Sequence, residues 1–159
     1  MLYAGPVIGK GDTQLAAPDL KLLEALETGE ADDVGMWSRW RREAAHDNSI
    51  VYFAVAFRDE VVGEIFLHDI DSGSRTGMVG YRIFDPRGRR SGAGSSALRL
   101  LIEWTASEAS LDQLFGIARA DNVGSCRLLE KVGFSRLAPA REDPGRVVYE
   151  LLLTNKHAE

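Results

Sequence analysis

The chain has 159 residues, 45% apolar and 27% charged, with a net charge of −5 and a single cysteine, Cys126. That length predicts one domain over residues 1–159, able to bury roughly 70% of its unfolded surface. The acidic balance excludes a general nucleic-acid binder, and the lone cysteine excludes an internal disulfide framework and fits a reducing compartment.

No apolar run approaches the ~20 residues of a membrane span, and the amino terminus lacks a basic-then-apolar leader, so a cytoplasmic protein is expected. The histidines at 46, 68 and 157 are scattered and no Cys/His cluster has metal-ligand spacing, so no metal is expected.

In chain order, Leu2 to Ile8 reads as a first strand, ended by Gly9-Lys10-Gly11-Asp12. Leu20, Leu22, Leu23 and Leu26 recur at helical intervals between Asp19 and Leu26, and Thr28-Gly29-Glu30 breaks the pattern. A second helix is expected from Asp32 or Asp33 to His46, its acidic start and its later Arg39, Arg41 and Arg42 complementing the helix dipole. Ile50 to Phe57 and Val61 to Ile70 read as a hairpin around Arg58-Asp59-Glu60. After the turn Asp71-Ser72-Gly73-Ser74, Gly77 to Phe84 gives a further strand. Three strands joined by short turns are antiparallel.

The next stretch, Asp85 to Ala97, is the most informative. Residues 82 to 99 hold five arginines and one acid. Gly92 and Gly94 let a backbone approach a ligand closely. The helix from Ser95 to Glu108 turns free N–H groups and the positive end of its dipole back on the loop. Together these predict a seat for a phosphate or pyrophosphate.

The helix carries Ala97, Leu98, Leu101, Ile102 and Thr105 on one side. Leu114 to Ala118 is then a strand, and a strand–helix–strand crossover implies a parallel pair. A last helix spans Asn122 to Val132, with Gly133 ending it. Phe134 to Leu137 and Val147 to Leu153 are the closing strands, with a polar loop, Pro139 to Gly145, between them.

Two ligand classes use such a seat. Gly92-Ala93-Gly94-Ser95-Ser96-Ala97 fits a dinucleotide fingerprint with Asp121 as its ribose acid, but that pattern wants a tight turn directly off the strand and repeated strand–helix units upstream. The alternative, Arg89-x-x-Gly92-x-Gly94, resembles the coenzyme A pyrophosphate loop of the GNAT superfamily of acetyl-CoA-dependent N-acetyltransferases. Asn122-Val123-Gly124-Ser125, followed by Lys131-Val132-Gly133-Phe134, resembles a second GNAT segment. With Leu129 where many members have tyrosine, the chain is similar to the branch that acetylates ribosomal-protein N-termini and to its small-molecule relatives.

The resemblance implies an α/β (α+β) GNAT fold: one mixed, mostly antiparallel sheet of about seven strands splayed between the fourth and fifth, with about four helices. It implies acetyl-CoA as cosubstrate, its pantetheine arm lying along Arg82, Ile83 and Phe84. The diphosphate is expected on Arg89, Arg90, Ser91, Gly92, Ala93, Gly94 and Ser95, with Asn122 and Ser125 also contacting the cofactor. The acceptor is expected to be a primary amine, of a protein N-terminus or a small molecule, attacking directly in a ternary complex. Relatives often pair, so a homodimer is carried over as an expectation, with no nucleic-acid or membrane partner.

Ser125 shares its helix face with Leu128, Leu129 and Val132, and is the candidate proton source for the departing thiolate; its alternative use is back-bonding within its own helix. Family members often carry a glutamate where Met78 stands, so Glu64 is favoured as base, with His68 and Asp69 as second choices. By alternation Val62, Glu64, Phe66 and His68 share one face, and Glu64 on a solvated face is the alternative. Glu142 and Asp143, in the late loop, are further candidates. Trp37 and Trp40, with Met36, are expected to border the acceptor cleft with His68, or else to pack in the core. The rival function on the same fold is a non-catalytic acyl-CoA sensor.

Overall fold

The computed structural model describes residues 7–9, 11–16, 40–44, 47–85, 88, 91–137 and 145–153. Its strands are β1 (Thr13–Ala16), β2 (Val51–Phe57), β3 (Glu60–Asp71), β4 (Thr76–Ile83), β5 (Gln113–Arg119), β6 (Ser135–Arg136) and β7 (Arg146–Leu152). Its described helices are α1 (Trp40–Glu43), α2 (Ala93–Glu108) and α3 (Val123–Lys131). The strands form one sheet in the order β1-β2-β3-β4-β5-β7-β6, antiparallel throughout except for the β4–β5 pair.

β2 and β3 are rich in β-branched and aromatic residues, which suit a pleated surface buried on both sides. They meet at Arg58 and Asp59, with φ of 49° and 66°. Two successive left-handed residues make the tight hairpin turn whose twist matches that of its strands. The Arg58 N–H donates to Asp12 O (2.8 Å), holding this turn against the lead-in to β1.

On one face of the sheet α2 and α3 cover the main core. Ala97, Leu98, Leu101 and Thr105 of α2 pack with Phe53, Val55, Ile65, Leu67 and Leu114 of the strands. On the other face a smaller cluster joins Ala44, Ile50, Tyr52 and Phe66, with Trp40 of α1 against it. Asn122 caps α3, its Oδ1 accepting from the Ser125 N–H (3.1 Å), while Gly133 at φ 110° ends it.

The β4–β5 pairing governs everything downstream. It runs over four rungs, Thr76↔Gln113 to Val79↔Gly116, and then stops, although β4 continues to Ile83 and β5 to Arg119. The outer edges stay paired: β4 to β3 as far as Ile83↔Gly63, and β5 to β7 as far as Arg119↔Arg146. The sheet therefore opens between two halves that are each bonded to their ends.

Several expectations are corrected. Thr13–Ala16 is a strand paired with β2, and Ile8 only bridges to Leu15, so a first strand does not simply end at Gly9. Residues 2–6 of that expected strand, the helix Asp19 to Leu26, and Met36, Trp37 and His46 lie outside the described residues. Against the expected four or so helices, three have spans among the described residues, the first only four residues long, and Gly88 is helical as well. β3 also departs from simple alternation. Val55 faces Gly63 while Ala56 faces Val61, leaving Val62 as an extra, bulged residue. Val62 consequently joins the main core, while Phe66 belongs to the opposite cluster. Among the described residues no helix is long and apolar enough to cross a membrane.

Candidate active site

The opened sheet forms a cleft of about 880 Å3, lined by Tyr81, Arg82, Ile83 and Phe84 of β4 and its exit, Gly92, Gly94 and Ser95 at the start of α2, and Asn122, Gly124, Ser125 and Leu128 around α3. The volume is that of a site for a sizeable small molecule. The Phe84 N–H donates to Val62 O (3.0 Å), so Phe84 is tied to β3. Residues two apart along a strand share an edge, which gives the Arg82 backbone the same direction and leaves Tyr81 and Ile83 to present theirs to the gap. Polar backbone groups there need partners, and an amide-bearing ligand lying along the gap supplies them.

At the end of the cleft, α2 begins with Gly92 in the left-handed region, φ 78°, and no side chain among the described residues caps it. The first N–H groups of a helix have no intrahelical acceptor, so those of Ala93, Gly94 and Ser95 converge with the positive end of the dipole. Ser95 is nearly buried and donates its hydroxyl to Gly92 O (3.0 Å), which braces this turn. Ala93 is directed into the core, and Ser91 lines a separate hollow with Arg58 and Arg99. Arg89 and Arg90 lie outside the described residues. Gly88, not singled out from the sequence, is required sterically: a Cβ there would come within 2.8 Å of Ile83 and 2.9 Å of Val62.

Ser125 projects into the gap rather than only onto its own helix. Its hydroxyl is 2.7 Å from the Tyr81 hydroxyl, which also lies 3.3 Å from the Ser125 carbonyl. Burial pushes the Tyr81 phenol above its ordinary value, partly opposed by the bond to Ser125. It is thus a neutral hydrogen-bond donor across the physiological range. Tyr81 was not picked out from the sequence, because its partner is 44 residues away. Leu129 is fully buried and packs over Gly116.

A second pocket of about 300 Å3 opens on the other side of the sheet, lined by Trp40, Phe66, His68, Met78, Gly80, Ile117 and Arg146, and by Tyr81 and Ser125. The two hydroxyl-bearing residues therefore line both spaces. Trp40 stacks on His68 with ring centroids 4.3 Å apart. Gly80 gives Phe66 its room, since any Cβ would collide with the ring. His68 Nδ1 lies 2.6 Å from Asp69 Oδ2.

Glu64 is fully buried and its Oε1 accepts from the Tyr52 hydroxyl (3.1 Å), which removes the solvated-face alternative. It lines neither space. Glu142, Asp143 and Trp37 lie outside the described residues.

A family model described as an acetyltransferase (GNAT) domain matches residues 19–135. A probable N-acetyltransferase, YjcK of Bacillus subtilis (strain 168), is 30% identical over 86 residues, 54% of this chain and 47% of that protein. The match thus spans about half the length of that curated relative. Among solved structures, a putative ribosomal-protein-serine acetyltransferase from Vibrio cholerae superposes with a TM-score of 0.72 at 20% identity, covering 92% of this chain and 97% of that one. RimL, a ribosomal L7/L12 alpha-N-protein acetyltransferase in complex with coenzyme A, gives 0.73 at 16% identity over 95% and 100%. The microcin C7 self-immunity acetyltransferase MccE, in complex with acetyl-CoA and AMP, gives 0.70 at 15% over 90% and 93%. These structural likenesses are likenesses of fold.

Proposed function

The chain belongs to the GNAT acetyltransferase family, and from that premise we propose that it transfers an acetyl group from acetyl-CoA to a primary amine of a protein N-terminus or small molecule. The observation that carries the reading is the early end of the β4–β5 pairing, with a cleft along the gap leading to the glycine-capped start of α2. A long ligand with amides in its middle and phosphates at one end matches those features in that order.

In this reading Tyr81, Ile83 and the neighbouring Arg82 and Phe84 hold the pantetheine arm. The N–H groups of Gly92 to Ser95 hold the diphosphate, with Arg89 and Arg90 adding positive charge. Asn122 and Ser125 border the arm from α3. The bound thioester supplies the activated acetyl group. The Ser125 hydroxyl is the hydrogen-bond donor for the sulfur as negative charge develops on it, and Tyr81 sets the direction of that hydroxyl. Positioning of a deprotonated amine does the rest. Trp40 and His68 wall the space from which the acceptor would approach. Glu64 is fully buried and lines neither space, so a proton could reach its carboxylate only through the groups that cover it.

Calorimetry with acetyl-CoA, followed by thiol release on a panel of peptides and simple primary amines, tests the proposal. Binding with turnover supports it. No binding ends it, and binding without turnover at any pH identifies a non-catalytic acyl-CoA sensor instead.

A further inference from the structure

We infer that His68, oriented by Asp69, is the base that accepts the proton of the acceptor amine, in the pocket walled by Trp40 and Phe66; the inference rests on the acetyl-transfer reading above. Adjacent residues of a regular strand point to opposite faces, so His68 and Asp69 should not meet. They do because β3 is irregular at this point. His68 pairs with Met78 but Asp71 pairs with Thr76, so β3 advances three residues while β4 advances two. Asp69 takes up the difference in the left-handed region, φ 50°, uncommon for any residue with a Cβ. Bulges of this kind re-aim side chains beside active sites. The outcome is the 2.6 Å contact between the Asp69 carboxylate and His68 Nδ1.

A carboxylate only accepts, so the Nδ1–H donates to it and the lone pair is left on Nε2. The stacked Trp40 ring fixes the plane of the imidazole, which is 16% exposed and lines the pocket shared with Tyr81 and Ser125. Asp69, by contrast, is 70% exposed and sits outside that lining, which suits an orienting group better than a base. Among the described residues, the charged and titratable groups around the imidazole are Asp69 on its own strand, Tyr81 on β4 and Arg146 on β7, with Glu64 farther along β3 held by Tyr52. Met78, directly across from His68, has no proton to move.

The step balances with the groups named. An ammonium acceptor gives one proton to Nε2, and its freed lone pair makes the N–C bond to the acetyl carbon as the C–S bond breaks. The thiolate leaves with the bond pair, and the second nitrogen proton passes to solvent.

The test compares wild type, His68→Gln and Asp69→Asn, with acetyl-CoA and two probes, phenethylamine and a short peptide with a free N-terminus. Expected for His68→Gln is unchanged acetyl-CoA binding and a fall of ~100-fold or more in kcat/KM near pH 7. The deficit should close as pH nears the acceptor's own value, about 7.7–8.0 for the peptide's α-amino group and about 10 for a simple primary alkylamine. Asn tolerates the left-handed backbone, so Asp69→Asn keeps the fold. In 15N spectra of the ligand-free protein, wild-type His68 should carry its proton on Nδ1, and Asp69→Asn should mix the tautomers while slowing turnover.

Wild-type acetyl-CoA binding and turnover with a full-rate His68→Gln overturn this inference alone. A His68 protonated on Nε2 in the wild type does the same. Failure of the wild type to bind acetyl-CoA overturns the underlying reading as well, as does binding with no turnover of either probe.

Discussion

Tyr81→Phe isolates the hydroxyl pair at the gap. The ring stays, so packing against Ile65 across the strands is kept, and only the phenolic oxygen goes. Its two short contacts are to Ser125, at 2.7 and 3.3 Å. A neutral hydrogen bond contributes about 0.5–1.5 kcal/mol net to stability. The desolvated phenol offsets part of that, so the melting temperature should fall by only a few degrees, about 4 °C or less for a chain of this size. The catalytic effect should be larger, because the freed Ser125 hydroxyl can rotate towards a carbonyl of its own helix. If misdirection withdraws a donor worth about 1.4–2.7 kcal/mol at the transition state, kcat falls ~10- to 100-fold.

Single-turnover thiol release, with acetyl-CoA affinity measured by calorimetry, separates this from lost binding. Two residues acting as one unit are not additive, so Tyr81→Phe with Ser125→Ala should be no slower than Ser125→Ala alone. Free-energy effects that simply sum, or a Tyr81→Phe enzyme with unaltered kcat, would refute the coupling.

Gly92→Ala places a Cβ at φ 78° and should cost about 1–2 kcal/mol in denaturant unfolding, as well as weakening acetyl-CoA binding. Gly94→Ala separates the two effects: its Cβ would meet Ile83 and Leu128 at an ordinary 3.6 Å, so stability should be kept while cofactor affinity drops, read by calorimetry. Glu64→Gln keeps an acceptor for Tyr52, and with His68 as base its kcat/KM should stay within a few-fold of wild type near pH 7. The phenols of Tyr81 and Tyr149 are both raised above their ordinary values, chiefly by burial. The folded state then holds their protons longer than the unfolded chain does. Their contribution is complete below about pH 10 and is lost as pH climbs through the folded values. Urea midpoints at pH 9 and 11 should show that loss, and Tyr81→Phe should reduce it.

The order of strands was legible because β2, β3 and β4 are long and rich in β-forming residues, and because Gly133 and Asn122 mark helix ends whatever surrounds them. β1 was not: four residues, Thr13–Ala16, carry too short an alternation to stand out, and they are strand only because β2 offers an edge. In the site, Gly92 and Ser125 were legible as local signals. Tyr81 was not, since nothing at position 81 announces a hydroxyl 44 residues away. The placing of Val62 failed for a different reason. Alternation assumes that every residue advances the pleat, and the extra residue in β3 breaks that assumption. A second irregularity, at Asp69, brings together two neighbours that periodicity assigns to opposite faces.

A continuous sheet is a wall, and chemistry that draws one reactant from the α2–α3 side and another from the Trp40 side needs an opening in it. Here the opening does not come from loose ends. β4 remains bonded to β3 through Ile83, and β5 to β7 through Arg119, so each lip is fixed from behind. The inner edges part from each other, and the residues common to both spaces at that opening include Tyr81 and Ser125. A gap held in this way exists before any ligand arrives. Little ordering should then accompany filling it, and the groups within it need not rearrange as charge develops. Hydrogen exchange tests this directly. The β3–β4 and β5–β7 amides should already be protected in the ligand-free protein, with acetyl-CoA adding protection chiefly along the inner edges at residues 81–83 and 117–119. Broad new protection across both half-sheets would mean that the ligand builds the gap, and the preformed cleft would have to be abandoned.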